Sequence, residues 1–312
     1  MDHLIKLTVL KSPQATALVS RDGEMTYAEF DQAACRLANY LEQAGIHRGQ
    51  LVPICFEKSP WAVITMIALW KLGAAYVPLD PAHPLQRLQA IASIVEADTA
   101  IVSASKETLL RNVVRRVIAI DPTRLSATAD DIVFESRSKP TDIAFMIFTS
   151  GSTGSPKGVV HAHSAICSSA LHHGPAMDIS KATRALQFAS YTFMVSVFEI
   201  FTTLVFGGSL CIPSDQDRQT DIQPAIQALR ANWAVFTPSF ARSLTAEDTP
   251  LQTLILTGEP VQDDLVDRWA PKVDLISMYG TSECSVCIIG RMVHGGKCIG
   301  RATGALSWTR LD

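Results

Sequence analysis

Apolar residues recur at helical spacing through 27–44, at Phe30, Ala34, Leu37, Leu41 and Ala44, the repeat expected of a helix with one buried face. Thr26 stands just before that run and Glu29 three residues on, a capping-box pattern. Gly45 marks the stop. Ahead of it, the pattern predicts a short helix, a strand at 16–20 and a turn at 21–24. Beyond it come a strand at 51–56 and a second, mostly buried helix at 61–72. A helix at 84–95 is followed by strands at 99–103 and 117–120. Residues 121–140 are polar and mixed in charge, a surface connection.

The same alternation continues after a strand at 143–148. Histidines 161 and 163 lead a helical segment through about residue 173. A strand and turn follow at 184–190, then a strongly apolar helix at 193–206 ended by Gly207 and Gly208. Strands at 209–213, 233–238, 251–256 and 274–278 enclose a helix at 222–231. Strands alternating with helices at this spacing imply α/β layers and a largely parallel sheet.

The chain has 312 residues, 47% of them hydrophobic, enough for two domains or one large one with a sizeable core. A net charge of −3 gives no basic footprint for nucleic acid and no polybasic membrane patch. No charged-then-apolar leader opens the sequence, and the longest apolar runs, such as 62–70, are too short to span a bilayer. A soluble, cytoplasmic protein is the expectation. Seven scattered cysteines read as reduced thiols. Cys284, Cys287, His294 and Cys298 have a spacing open to zinc, but they follow directly on a stretch better read as a nucleotide motif. His161 and His163 read as helix-entry or surface histidines rather than ligands.

Candidate chemistry concentrates at 148–159. Thr149, Ser150, Gly151, Ser152, Thr153, Gly154, Ser155, Pro156, Lys157 and Gly158 follow a strand-like run without a break. Glycines let the backbone approach a ligand closely, successive N–H groups form an anion-binding concavity, and hydroxyls and a lysine add donors and charge. That combination suits a polyphosphate. It is not the common P-loop, because Pro156 precedes Lys157 and Gly158 follows it. Two later stretches lie at strand ends, where open α/β sheets place ligands: Thr257, Gly258, Glu259, Pro260, and Tyr279, Gly280, Thr281, Ser282, Glu283. Tyr279 offers an aromatic face, and Glu283 a hard oxygen suited to Mg²⁺ beside phosphates.

The string 149–158 resembles the phosphate loop of the adenylate-forming superfamily, which holds acyl-CoA ligases, luciferases and the adenylation domains of nonribosomal peptide synthetases. The stretch 71–81, ending Leu79-Asp80-Pro81, and the stretch 25–30 resemble the peptide-synthetase branch most closely. Residues 279–283 resemble that branch's Tyr-Gly-Pro-Thr-Glu motif, with Thr281 in place of proline and Ser282 keeping the hydroxyl.

The resemblance implies two stacked αβ subdomains: 1–175, including the phosphate loop, and 176–290, with acid and adenine pockets in the cleft at the strand ends. Residues 291–312 would be an incomplete entry to a β-barrel subdomain. It implies ATP and Mg²⁺ as cofactors and attack of a carboxylate on the α-phosphorus of ATP. The product would be an acyl-adenylate, passed to a thiol on a peptidyl carrier protein or on CoA. By the same resemblance Thr149, Ser150, Thr153 and Lys157, with the loop glycines and Ser152, hold the phosphates. Gly258, Glu259 and Pro260 line the adenine pocket, Tyr279 stacks on the ring beside Gly280, Ser282 contacts phosphate, and Glu283 binds Mg²⁺.

Two departures alter that picture. Amino-acid-activating members usually carry aspartate where Met194 stands, paired with the substrate's α-ammonium group. A thioether cannot pair with an ammonium, and leaving that charge buried alone is costly. This implies an aryl, α-keto, hydroxy or other acid, or else a decayed pocket. The other pocket positions are Val195, Phe198, Phe236, Ile255, Thr257, Met278, Val286 and Cys287, mostly apolar. The second departure is that the family's later motifs and C-terminal lysine domain are missing before Asp312. A truncated core is therefore expected. An aryl- or acyl-CoA ligase, or a binding-only homologue, stays open beside the peptide-synthetase reading.

Overall fold

A computed structural model of the chain describes residues 1–126, 132–150, 156–247, 249–284, 288–292 and 301–302. Its strands are β1 (Thr16–Ser20), β2 (Gly23–Thr26), β3 (Leu51–Cys55), β4 (Ala75–Pro78), β5 (Thr99–Ser103), β6 (Arg116–Ile120), β7 (Ile143–Ser150), β8 (Pro156–Ala162), β9 (Arg184–Leu186), β10 (Ser209–Cys211), β11 (Trp233–Phe236), β12 (Thr253–Thr257), β13 (Asp274–Tyr279), β14 (Ile288–Arg291) and β15 (Arg301–Ala302). The chain divides into two compact units. The first holds Met1–Leu18, Met25–Ile166 and Ser190–Phe193. The second holds Val19–Glu24, Cys167–Ala189 and Met194–Asp312.

The first unit is built on a sheet of order β6-β5-β3-β4-β7-β8. All its pairings are parallel except β7 with β8. The capping box at Thr26 forms as the sequence implies: Glu29 N–H donates to Thr26 Oγ1 at 3.2 Å, and Thr26 N–H to Glu29 Oε2 at 2.7 Å. Helix Tyr27–Gln43 then buries Phe30, Ala34, Leu37 and Leu41. Helix Pro60–Leu72 is buried on every side from Ala62 onward, which its unbroken apolar composition requires. Proline at its first position removes an N–H that would have had no partner within the helix, and Gly73 closes it at φ +74°. The cap position has no room for a side chain either: a Cβ there would lie 2.7 Å from Arg48 Cγ. Two polar groups inside this apolar helix are answered. Trp70 Nε1–H donates to Ala144 O at 2.6 Å, and Lys71 Nζ pairs with Asp31 at 2.8 Å.

The second unit is a nine-stranded sheet, order β15-β14-β13-β12-β11-β9-β10-β1-β2. From β10 to β13 the pairing is parallel; β14 and β15 turn back antiparallel. Leu254, Leu256, Leu275 and Phe236 pack one face against Ile226, Leu265 and Trp269.

The fold class is the α/β architecture the alternation implies. Two local features differ from the sequence pattern. The apolar segment at 193–206 is not one α-helix: a π-helical turn, Phe198–Thr202, separates Met194–Val197 from Thr203–Val205. Residues 156–162 form a strand rather than loop, since β-branched Val159 and Val160 continue a ladder against β7. His161 and His163 are not surface residues. Both are buried, His161 stacked 4.9 Å from the Phe145 ring and His163 edge-on to Trp70 at 5.1 Å. His163 does open a helix, His163–Ala176. No helix among the described residues is long and apolar enough to cross a membrane.

Candidate nucleotide and acid sites

In the first unit the phosphate-loop residues sit on the β7–β8 hairpin. Thr149 stands directly opposite Lys157, and Ser150 opposite Pro156. Residues that face each other across an antiparallel pair have Cβ atoms about 4.5–5.5 Å apart, so a hydroxyl and an ammonium project from neighbouring positions. Lys157 is exposed, which leaves its charge accessible to an anion. Gly158 lies opposite Phe148, and a Cβ there would come within 1.9 Å of Met146 Cε and 3.2 Å of Phe148 Cζ. The glycine leaves room for those side chains against the hairpin. Gly151, Ser152, Thr153 and Gly154 lie outside the described residues.

In the second unit the nucleotide-motif candidates collect at the carboxyl ends of two adjacent parallel strands, β12 and β13. The register pairs Thr257 of β12 with Met278 of β13, so Gly258 and Tyr279 follow side by side. Gly258 turns at φ +88°, a conformation L side chains resist. A Cβ there would be in ordinary contact with Thr237 at 3.7 Å, so the torsion rather than crowding calls for glycine. Tyr279 is 52% exposed at the strand end, its ring available for stacking. Glu259 does not point freely outward. Its Oε2 accepts the Ser239 N–H at 2.9 Å and the Ser239 hydroxyl at 2.5 Å, and these bonds hold its carboxyl below the usual range. Pro260, Gly280, Ser282 and Glu283 follow on the same two turns. Glu283 is exposed and Ser282 half-buried.

The acid-pocket candidates do not all gather. Ile255, Thr257 and Met278 share one face of the sheet by register and alternation. Phe236 is level with Leu256 and packs on the opposite face, in the core. There its ring meets Phe188 at 5.0 Å and Phe240 at 5.1 Å. Met194 and Phe198 are buried and Val195 half-buried on one helical segment. The Phe198 ring lies edge-on to His173 at 5.4 Å. Val286 and Cys287, and with them most of the cysteine–histidine cluster, lie outside the described residues. Among the described residues no group of three His, Cys, Asp or Glu side chains is placed to hold a metal.

Sequence reasoning passed over Ser239, Gln187 and Glu199. Glu199 is fully buried within the π-helical turn, and its carboxylate accepts Gln187 Nε2–H at 2.9 Å and the Ala189 N–H at 3.1 Å. The available signal was a lone carboxylate inside an otherwise apolar run.

With this geometry in view, comparison with known proteins identifies the class. A family model described as AMP-binding enzyme matches residues 6–310. The chain belongs to that family, as an adenylate-forming core. It is 58% identical over 311 residues to N-benzoylphenylalaninol synthetase apmA of Penicillium brevicompactum, covering 99% of this chain and 13% of that protein. This chain thus spans a small part of the length of such relatives. The fold matches that of FmoA3, a nonribosomal peptide synthetase solved with α-methyl-L-serine-AMP, at a TM-score of 0.85 and 22% identity. That match covers 97% of this chain and 36% of FmoA3. The NpsA N-terminal subdomain of Klebsiella oxytoca, solved with 3-hydroxybenzoyl-AMSN, matches at 0.81 and 23% identity, covering 94% of this chain and 75% of that one.

Proposed function

We propose that this chain is the part of a peptide synthetase that activates a carboxylic acid lacking an α-ammonium group, converting it with ATP into an acyl-adenylate and pyrophosphate. A substrate carboxylate oxygen attacks the α-phosphorus, the bond from that phosphorus to the bridging oxygen breaks, and pyrophosphate leaves. The sulfur of a thiol, on a carrier protein or on CoA, then attacks the acyl carbon; the acyl–oxygen bond breaks, AMP leaves and the thiol proton goes to solvent. The observation that carries the nucleotide half is the β12–β13 register, which sets the Gly258 turn beside the exposed Tyr279 ring. A purine fits a flat aromatic face flanked by a side-chain-free turn.

The chain's own residues mostly position charge. Lys157 and Thr149 take phosphate oxygens, and Ser282 adds a hydroxyl near Glu283. The donor set fits Mg²⁺ in the way such sites are usually built, one carboxylate with the substrate's phosphates completing the shell. When bound there, Mg²⁺ supplies charge neutralisation on the phosphates. Little covalent work falls to the protein; catalysis is positioning and electrostatics.

The substrate class rests on the helical wall Met194, Val195 and Phe198. Its first residue is a buried thioether, and its nearby carboxylate, Glu199, is fully buried and taken up by Gln187 and Ala189. The thioether cannot pair with an ammonium ion, and the carboxylate already accepts from Gln187 and Ala189. The benzoyl group in the relative's name and the hydroxybenzoyl adenylate analogue bound to NpsA support an aryl acid. Acid-dependent ATP–pyrophosphate exchange tests the proposal: benzoate-like acids should support exchange and the matching amino acids should not. Exchange with common L-amino acids alone would overturn it.

A further inference from the structure

The buried carboxylate of Glu199 has no role in the chemistry above, yet it occupies an expensive position. Enclosing a carboxyl group is costly unless its bonds to water are replaced, and an apolar residue of similar size would fill the same space without that cost. What Glu199 supplies is a fixed geometry. Gln187, also fully buried, is tied to the sheet, because its N–H donates to Cys211 O of β10 at 2.8 Å. Its Nε2 donates to Ala189 O at 2.9 Å and to Glu199 Oε2 at 2.9 Å. The Ala189 N–H lies 3.1 Å from the same oxygen. Glu199 therefore latches a helical turn to the loop that leaves β9.

That turn is π-helical, Phe198–Thr202. Such turns hold one residue more than an α-helical turn and are common at functional sites. One extra residue changes the phase of everything N-terminal to it by about 100°. Met194 and Val195 lie on that side, so their direction depends on the turn keeping its extra residue. The turn's far end is anchored as well: Thr202 Oγ1 lies 2.8 Å from His173 Nε2, and His173 Nδ1 lies 3.1 Å from Ser169 Oγ. A polar anchor at each end resists relaxation to a plain α-helix.

We propose that Glu199 is a positioning residue that sets the direction of Met194, Val195 and Phe198, and so the acid preference, by latching the loop that leaves β9 to the π-helical turn. The acid-preference part rests on the function proposed above; the latch does not.

Two readouts on Glu199→Leu and Glu199→Gln separate these parts. Hydrogen exchange over 187–202 reads the latch. Leucine removes both acceptors, and exchange at Ala189 should quicken about tenfold or more; glutamine keeps one acceptor and should restore part of the protection. In ATP–pyrophosphate exchange, KM for the acid should rise about tenfold in the leucine variant, the ranking of acids should change, and KM for ATP should hold. A merely structural role would move both KM values together. Unchanged exchange over 187–202, or joint movement of the two KM values, overturns the proposal. If the wild-type protein activates no acid, the proposed function and the acid-preference part fall together, while hydrogen exchange still decides the latch. Should Glu199→Leu not fold, Gln187→Met removes one donor and carries the same two readouts.

Discussion

Glu259 Oε2 accepts both the N–H and the hydroxyl of Ser239, at 2.9 and 2.5 Å. The bond joins the turn after β12 to the start of helix Pro238–Arg242, and it fixes the Gly258 backbone that faces the proposed purine. In the proposed adenine pocket, the part of Glu259 is thus to hold the turn. Glu259→Ala and Ser239→Ala should each weaken ATP binding about three- to tenfold by calorimetry, as expected for one lost charge-assisted pair. The pH sign follows from the depressed carboxyl: the latch is present above the ordinary carboxylate range and is lost as pH falls through the lowered folded value. ATP affinity unchanged from the parent in both variants would show that the turn holds without it.

Lys157 is exposed on β8 opposite Thr149. Its removal takes nothing from the core and, among the described residues, strands no buried partner. Lys157→Ala should therefore leave the melting temperature within about a degree or two, surface changes being worth within roughly ±0.5 kcal/mol. Its effect on Mg²⁺–ATP binding should be large, about tenfold or more, as for loss of a direct charge on phosphate. Glu283→Ala should behave alike only when Mg²⁺ is present. A variant that melts early and binds normally would assign Lys157 to structure.

Much of this could be read in the sequence, for identifiable reasons. The Thr26–Glu29 box and the Phe30–Leu41 repeat depend on neighbours in sequence, and both form as read. Gly258 read as the end of a strand, and β12 does end at Thr257, just before it. Phe236 illustrates the limit. Its type and place at a strand end suited a pocket, but alternation against Leu256 turns it into the core. Strand phase depends on pairing partners that a single sequence does not display. Glu199 was hidden for a related reason: its partners, Gln187 and Ala189, meet it only because the chain turns back at the end of β9. The buried histidines were misjudged because Phe145 and Trp70, which cover them, come from other elements.

Met194 provides the sharpest test of substrate class. Met194→Asp places a carboxylate at the head of the helical wall. With an α-amino acid, the new charge gains a partner; with a deaminated acid, it stays unpaired or faces another carboxylate. Exchange assays should show the ratio of activity on the acid to that on its α-amino analogue falling by about tenfold or more, the scale of one buried charge pair made or broken. A ratio unmoved in a variant with normal ATP affinity would place Met194 away from the acid.

His173 makes the fold itself pH-sensitive. Burial lowers its pKa from the ordinary 6.5 to about 3, with the charge of His172 adding to the effect. Burial lowers His163 to about 3 as well. Between those values the unfolded chain binds protons that the folded chain refuses. Stability is therefore complete above the ordinary histidine value and declines as pH falls toward the folded one, by ~1.4 kcal/mol per pH unit for each such histidine. Carboxylates with lowered values add their own loss at the acid end of the same range, so the comparison must be with a variant. His173→Gln keeps a side chain that can bond Thr202 and Ser169 without titrating. Its urea-denaturation free energy should fall less steeply from pH 6.5 to 5 than that of the parent, by about one proton's worth of slope. Parallel curves for parent and variant would mean that His173 gains its proton without leaving the fold.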